Sequence, residues 1–191
     1  MHTYSINLSE RINALGIMGI LSVVIIWAVH KYLPAGVPVP SVFALFTGIA
    51  FVFNKWAWRW WIFQKTCIRT PNLSGKWTML SKSSLKDPNE EYEAILTIKQ
   101  TWTQIFLFMD GEKAIGVSVM AGIEIMTDDL FYLKWEYRSE YKPKFATGEE
   151  MHYGMTKLLM KPISNPNSME GNYYADQTRH SFGPVTLIKK A

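Results

Sequence analysis

The 191-residue sequence contains a single cysteine, Cys67, so no disulfide can form within the chain. Charged residues make up only 19% of it, below the roughly 25% that is usual for a soluble domain. With 12 glycines and 9 prolines, the composition excludes collagen-like and low-complexity chains. Because 48% of the residues are hydrophobic, intrinsic disorder is excluded as well. We expect a folded chain, and the unpaired cysteine agrees with a reducing compartment.

Motifs of common enzymes and metal sites are also missing. The sequence has no P-loop, no G-x-S-x-G, no H-E-x-x-H and no Cys/His cluster with zinc spacing. Its four histidines, at positions 2, 30, 152 and 180, are scattered along the chain. We therefore predict a binding protein rather than an enzyme, with no metal site and no cofactor.

The net charge of +4 belongs to the first third of the chain. Residues 1–71 contain six basic and one acidic side chain, whereas residues 72–191 contain 14 basic and 15 acidic ones. If the chain bound nucleic acid through its larger region, the excess of basic residues would lie within residues 72–191. The sequence therefore predicts no DNA or RNA partner and divides into two regions of different chemistry.

Two long uncharged runs occupy the first region. They comprise 19 residues between Arg11 and Lys31 and 23 residues between Lys31 and Lys55. A bilayer core of about 30 Å needs about 20 apolar helical residues, so we predict transmembrane helices over about residues 12–30 and 41–61. The connection, residues 32–40, holds three prolines and a glycine, which favour a tight turn. A buried helical hairpin in a soluble protein and a cleaved signal peptide are the alternatives.

The basic residues predict the orientation of this hairpin. Lys55, Arg59, Lys65 and Arg69 follow the second run, whereas the connection contributes only Lys31. By the positive-inside rule, the N-terminus and the C-terminal domain are both expected in the cytoplasm.

Aromatic and small residues predict further features of the hairpin. Indole rings favour the headgroup region of a bilayer, so we expect the second helix to continue through the cluster that follows it. The predicted membrane-interface residues are Lys55, Trp56, Trp58, Arg59, Trp60 and Trp61. Small residues that would allow close approach of helices are Gly16, Gly19, Ala44 and Gly48.

From residue 72 onward the pattern changes to short alternating runs. We predict strands over residues 75–82, 92–102, 104–109, 114–126, 130–138, 151–162, 171–177 and 185–189. Eight short strands without a long helical repeat indicate an antiparallel sandwich or barrel. The predicted fold is a membrane-anchored all-β protein, in which residues 1–71 form the hairpin and residues 72–191 a compact eight-stranded up-and-down barrel. A barrel of this size is filled by side chains or holds one small ligand.

The barrel domain opens with the sequence N-L-S-G-K-W, ending at Trp77. This N-L-x-G-x-W pattern is similar to the opening of lipocalin-type barrels, in which the tryptophan closes the barrel floor. We interpret Trp77 as a core residue in preference to a ligand contact.

Aromatic residues on strands and basic residues near strand ends are the candidate ligand contacts. With Trp77 facing inward, alternation places Trp135 and Tyr137 inside the barrel. Arginine and histidine near strand ends suit phosphate oxygens at a barrel mouth. The full set of candidates is Tyr92, Trp102, Trp135, Tyr137, Arg138, Tyr153, Arg179 and His180.

The chain combines two predicted spans, the aromatic cluster that follows them and a barrel domain that opens N-L-S-G-K-W. The same domain closes with M-E-G-N-Y-Y at residues 169–174 and R-H-S-F-G at residues 179–183. This order resembles the two-transmembrane, β-strand-rich effectors of bacterial CBASS antiphage systems, over essentially the whole chain. The resemblance implies that a nucleotidyltransferase supplies a cyclic oligonucleotide, expected to be a cyclic dinucleotide, that the barrel binds. Binding would then drive homo-oligomerisation of the hairpins, disruption of the bacterial inner membrane and abortive infection.

Two other functions are compatible with the residues alone. A membrane-anchored, lipocalin-like binder of an apolar small molecule would use the apolar barrel interior. A membrane-tethered docking module would have a filled barrel and a large exposed apolar patch.

Overall fold

The computed structural model describes residues 1–4, 8–32, 34, 38–66, 68–85, 90–127, 130–146, 151–160, 167–176 and 180–190. The chain forms two compact units. One is helical and comprises residues 6–70, and the other combines residues 1–5 with residues 71–191.

The helical unit contains α1 (Leu8–Tyr32), α2 (Val42–Lys55) and the short α3 (Trp61–Thr66). Of the helices in the described ranges, α1 is long and apolar enough to cross a membrane, and its 25 residues extend over about 37 Å. The first predicted span is therefore a helix of the right length. With 14 residues, α2 extends over only about 21 Å, less than the bilayer core of about 30 Å.

The prediction that the second helix continues through the aromatic cluster is wrong. At Trp56 the backbone leaves helical geometry (φ −134°, ψ −51°), and a single 3-10 turn, Ala57–Arg59, follows. Trp58 is fully buried, and its carbonyl accepts a hydrogen bond of 3.0 Å from Gln64 Nε2. The remaining indoles, Trp56, Trp60 and Trp61, are 49–67% exposed, as an interface aromatic requires.

The buried face of α1 is formed by residues four positions apart: Glu10, Ala14, Met18 and Ser22. The Glu10 carboxylate accepts hydrogen bonds from the Arg69 backbone N–H (3.1 Å) and from Thr70 Oγ1 (3.0 Å). These bonds tie the start of α1 to the end of the helical unit.

The small residues predicted to bring helices together do not do so within the chain. A methyl group at Gly16, Gly19 or Gly48 would meet no atom of the described residues within 4 Å, apart from its chain neighbours and the backbone of its own helix. Ala44 is exposed. Ala44 and Gly48 line a groove between α1 and α2, and Gly19 lines a second one. Close helix contact at these four positions remains a prediction.

Eight antiparallel strands close into the predicted up-and-down barrel, in which every strand pairs with the next and β9 pairs with β2. The predicted segments coincide with the observed strands to within a few residues at either end. The largest differences are at the starts of the last two predicted strands and at the end of the fifth. The strands are β2 (Gly75–Lys82), β3 (Glu91–Gln100), β4 (Gln104–Gly111), β5 (Ala114–Thr127), β6 (Leu130–Tyr141), β7 (Met151–Met160), β8 (Ser168–Ala175) and β9 (Phe182–Lys189).

A short N-terminal strand, β1 (His2–Thr3), was not predicted from the sequence. Strands β4 and β5 share only three residue pairs, and β5 shifts register against β6 after Ser118. Where β4 and β5 separate, β1 pairs with β4 opposite Ile105, and His2 Nε2 lies 2.7 Å from the Ser118 carbonyl oxygen. The N-terminal residues thus complete the wall at this seam.

The two ends of the barrel differ in their connections. We call the end with the β3–β4, β5–β6 and β7–β8 connections, where Pro71 enters, the lower end, and the opposite end the upper end. Fully buried side chains fill the lower half of the interior. They are Trp77, Leu96, Ile98, Ile105, Leu107, Phe131, Leu133, Leu158, Met160, Met169 and Leu187.

Hydrogen bonds close the lower end. Trp77 Nε1 donates to the Leu73 carbonyl (2.9 Å), and the φ of +130° at Gly75 between them favours glycine. Trp77 is therefore a core residue, as predicted. The buried Gln100 side chain accepts from the Leu73 N–H (2.8 Å) and donates to the Pro71 carbonyl (3.0 Å) and to Tyr4 Oη (3.1 Å).

Candidate ligand site at the upper end of the barrel

The inward side chains differ in chemical type between the lower and the upper end of the barrel. Inward positions near the upper end carry hydroxyl, phenol and imidazole groups instead of aliphatic side chains. Most of these residues are only half-buried, so solvent reaches them although they face inward. They are Ser81, Tyr92, Tyr137, Ser139, Tyr141, His152 and Tyr173.

Glycines make room for two of these aromatic rings. Gly154 lies opposite Tyr137 in the β6–β7 pair, and a methyl group on Gly154 would overlap the Tyr137 phenol. Gly183 lies opposite Tyr173, and a methyl group there would overlap the Lys82 carbonyl and come within 3.3 Å of Tyr173 Cε1. Each tyrosine therefore lies across the neighbouring strand, so the upper wall of the barrel is faced with aromatic rings.

These side chains have the chemistry to hold planar, phosphorylated molecules. The Tyr137 ring meets the His152 ring edge to face at 6.3 Å between centroids. Aromatic faces stack on nucleobases, and each stacked base contributes about 1–3 kcal/mol. Phenol and imidazole groups donate hydrogen bonds to phosphate oxygens.

Two lysines at the upper rim pair with carboxylates. Lys142 Nζ lies 2.8 Å from Asp110 Oδ1, and Lys82 Nζ lies 3.3 Å from Glu91 Oε1. His180 is exposed in the β8–β9 connection with a φ of 47°. Within the described ranges, no three His, Cys, Asp or Glu side chains are grouped so that they could hold a metal ion.

The predicted ligand contacts do not lie together. They are found at both ends of the barrel and on both the inner and the outer face of its wall. Tyr92 and Tyr137 face inward at the upper end, and Trp135 faces inward below them with 5% exposure. Trp102 lies past the end of β3 in the lower connection and is 4% exposed. It therefore belongs to the end of the barrel opposite Tyr137.

Two further candidates face away from the interior. Arg138 follows the inward Tyr137 on β6, so it points outward, and it pairs with Glu140 at 2.9 Å. Tyr153 is 39% exposed on the outer face of β7. His180 lies at the upper end, whereas Arg179 lies outside the described residues.

Sequence reasoning missed five inward residues of the upper end: Ser81, Ser139, Tyr141, His152 and Tyr173. Alternation along β6 from Tyr137 would have reached Ser139 and Tyr141. No comparable signal existed for His152, because apolar residues fall on both faces of β7.

Residues 68–189 match the family described as Cap15, cyclic dinucleotide receptor domain. The chain belongs to the Cap15 family. This confirms the predicted membership among CBASS effectors, and the matched region includes every strand of the Cap15 barrel from β2 to β9. No curated protein matches the chain. The Cap15 match assigns the barrel to a receptor domain, so its role is binding.

Proposed function

We propose that the upper end of the barrel binds a cyclic dinucleotide and that binding drives association of the helical units, which disrupts the inner membrane and arrests the infected cell. The observation that carries this proposal is the change from aliphatic to aromatic and hydroxyl-bearing inward side chains. It occurs within the region that matches the cyclic dinucleotide receptor family.

The chemistry of the upper end suits this ligand. A cyclic dinucleotide has two planar bases and two phosphates, and the upper end offers tyrosine faces together with phenol, hydroxyl and imidazole groups. Tyr92, Tyr137 and Tyr173 are the stacking residues of the proposed site, and His152 with His180 would meet phosphate oxygens. The 14 basic and 15 acidic side chains of residues 72–191 would not attract a nucleic-acid polymer.

The helical unit supplies the proposed membrane anchor. In this proposal α1 crosses the bilayer, and α2 crosses with the residues that flank it, ending at the exposed Trp60 and Trp61. In the same proposal the N-terminus and the barrel are cytoplasmic, which the basic residues after α2 support. There the barrel would meet the product of a nucleotidyltransferase.

An apolar-ligand carrier has less support. The apolar half of the interior is occupied by fully buried side chains, whereas the upper half is lined by polar aromatic residues. An aliphatic ligand at the upper end would displace water from half-buried phenol and imidazole groups, and burial of polar groups is unfavourable.

Calorimetry on the full chain in detergent micelles tests the binding step. Titrations with cyclic di-AMP, cyclic di-GMP and cyclic UMP–AMP should give saturable binding for at least one of the three. If the folded protein gives no binding with any cyclic dinucleotide across such a panel, the proposal fails.

A growth assay tests the role of the helical unit. Cells that express the chain together with a cyclic dinucleotide synthase should stop growing. A variant in which a flexible linker replaces residues 8–66 should bind the ligand but allow growth, because β1 and the barrel are retained and α1 and α2 are not. Growth arrest by this variant would contradict the proposal.

A further inference from the structure

We propose that the outer surface of β7–β9 near the upper end is the surface through which the barrels of two copies of this chain associate. This inference rests on the proposed function and names the partner that ligand binding would recruit.

The surface is a continuous apolar patch on the outside of the barrel. Met155 on β7 lies opposite Tyr174 on β8, which in turn lies opposite Phe182 on β9, so the three form one row across the sheet. Phe182 is also joined to the β2–β3 connection by a Ser84 N–H donating to its carbonyl (2.9 Å). The patch, which we call the β7–β9 patch, consists of Leu85, Met151, Tyr153, Met155, Tyr174 and Phe182, each 39–59% exposed.

The wall formed by β2, β3 and β4 has no such surface. Among its described residues, the outer face of β2, β3 and β4 exposes no large apolar side chain. Outward apolar residues there, such as Leu80, Ile95 and Phe106, are half-buried. Elsewhere on the described strands the exposed large apolar side chains are Val119, Met120 and Met126 on β5 and Ile188 on β9. The β7–β9 patch is thus not a general property of the outer barrel surface.

The size of the patch fits an interface between two proteins. With about 200 Å² of surface per large side chain, the exposed fractions amount to roughly 600 Å². A typical monomer's largest apolar patch covers about 300–600 Å², and a stable interface buries about 800 Å² on each partner. Tyrosine, phenylalanine and methionine are enriched at such interfaces, and they make up five of the six patch residues.

The charges beside the patch favour a second copy over a lipid surface. On β6, Glu136 lies opposite Met155, Arg138 opposite Tyr153, and Glu140 opposite Met151. Lys157, next after Met155 on the outer face of β7, and Asp176, whose Oδ2 accepts from the Tyr153 N–H (3.1 Å), add one charge of each sign. These charges sum to −1, which does not attract anionic lipid headgroups, whereas in a two-fold symmetric contact Arg138, paired with Glu140 in its own copy, can also meet a carboxylate of the other. Confinement to one membrane raises the effective concentration of the two copies.

The same strands carry the proposed ligand site on their inner face. His152 and Gly154 face inward between the outward Met151, Tyr153 and Met155 on β7. On β8, the inward Tyr173 directly precedes the outward Tyr174. A ligand that fixes the inner side chains therefore acts on the strands that present the patch.

Matched charge substitutions test the patch in the full chain in detergent micelles. Tyr174→Glu should reduce ligand-induced association at least tenfold, measured by chemical crosslinking and mass photometry. Thr97→Glu, which adds the same charge to the outer face of β3, should associate as the wild-type chain does. The probe is whichever of cyclic di-AMP, cyclic di-GMP and cyclic UMP–AMP binds, and calorimetry should give both variants a Kd within about threefold of wild type. Unchanged association of Tyr174→Glu would overturn the inference.

The readouts separate this inference from the proposed function. Absence of binding by the wild-type chain would refute the proposed function. The patch would then be tested by association of the chain at high concentration without ligand. Weaker association of Tyr174→Glu than of Thr97→Glu would support the inference, and equal association would overturn it. As a second measurement, Tyr174 is replaced by photoreactive p-benzoylphenylalanine in cells. An adduct of two copies of the chain supports the inference, whereas an adduct with lipid or with another protein as the main product would overturn it.

Discussion

The lower and upper ends of the barrel share one set of strands but differ in what their inward side chains do. At the lower end Trp77, Phe131 and Leu187 are fully buried, and Gln100 satisfies the backbone groups beside them. At the upper end Tyr92, Tyr137, Tyr141, His152 and Tyr173 also face inward, yet they are only half-buried. The comparison indicates that the lower end stabilises the fold, whereas the upper end carries the proposed ligand site.

The largest expected effect is on the stability of the lower end. Replacing Trp77 by alanine removes a fully buried indole and its hydrogen bond to Leu73, and should lower the free energy of unfolding by about 3–5 kcal/mol. Tyr92→Ala at the half-exposed upper end should cost about 1 kcal/mol. Thermal unfolding of the full chain in micelles, followed by near-ultraviolet circular dichroism, measures both. Equal losses would remove the distinction between the two ends.

The buried Gln100 side chain should produce the next largest effect. Gln100→Leu leaves the Leu73 N–H and the Pro71 carbonyl without their partners, and should cost about 2–3 kcal/mol of unfolding free energy. The neighbouring Lys99 is exposed, and Lys99→Ala should change stability by no more than about 0.5 kcal/mol. A Gln100→Leu variant as stable as the wild type would show that the lower closure does not depend on this side chain.

At the upper end, the expected effect is on ligand affinity. Loss of a stacked base would cost about 1–3 kcal/mol, so Tyr137→Ala should weaken cyclic dinucleotide binding by at least about tenfold. Tyr132 lies on the outer face of the same strand, with Lys157 Nζ 4.1 Å from its ring centroid. Tyr132→Ala should therefore leave the Kd unchanged in calorimetry. If both variants bind equally well, Tyr137 is outside the site.

The smallest effect is expected from Arg138, which the sequence analysis placed among the ligand contacts. Because Arg138 faces outward and pairs with Glu140 while both remain largely exposed, Arg138→Gln should cost less than about 1 kcal/mol of stability. The Kd for the cyclic dinucleotide should stay within about threefold of wild type by calorimetry. A tenfold loss would instead bring the outer face of β6 into the site.

Much of the barrel could be predicted from the sequence because alternation along a strand is a local property. Residues 75–82 were predicted as β2 without error, and the inward set from Phe131 to Tyr137 follows from the inward Trp77. Local patterns fail where distant parts of the chain decide the outcome. β1 has only two residues and forms because β4 and β5 separate beside it. Similarly, α2 ends at Lys55, and the 3-10 turn with the buried Trp58 follows, within a segment that is compatible with a continuous helix.

The candidate site was less predictable because neighbouring residues on a strand face opposite sides. Alternation predicts Tyr137 as an inward contact, whereas Arg138 is predicted from its position near a strand end, and in the structure Tyr137 faces the interior and Arg138 faces solvent. On β7, Tyr153 was chosen and the inward His152 was overlooked, because both faces of this strand carry apolar residues. Trp102 continues the inward face of β3 in sequence but lies at the lower end, where the chain turns.

Photoaffinity labelling tests the central claim most directly. The full chain in micelles is labelled with an 8-azidopurine cyclic dinucleotide, and the crosslinked peptides are identified by mass spectrometry, with excess unlabelled ligand as the competitor. The account predicts competed crosslinks on peptides containing Tyr92, Tyr137, His152 or Tyr173, which face inward at the upper end. Competed crosslinks confined to the lower end or to the outer face of the barrel would contradict it.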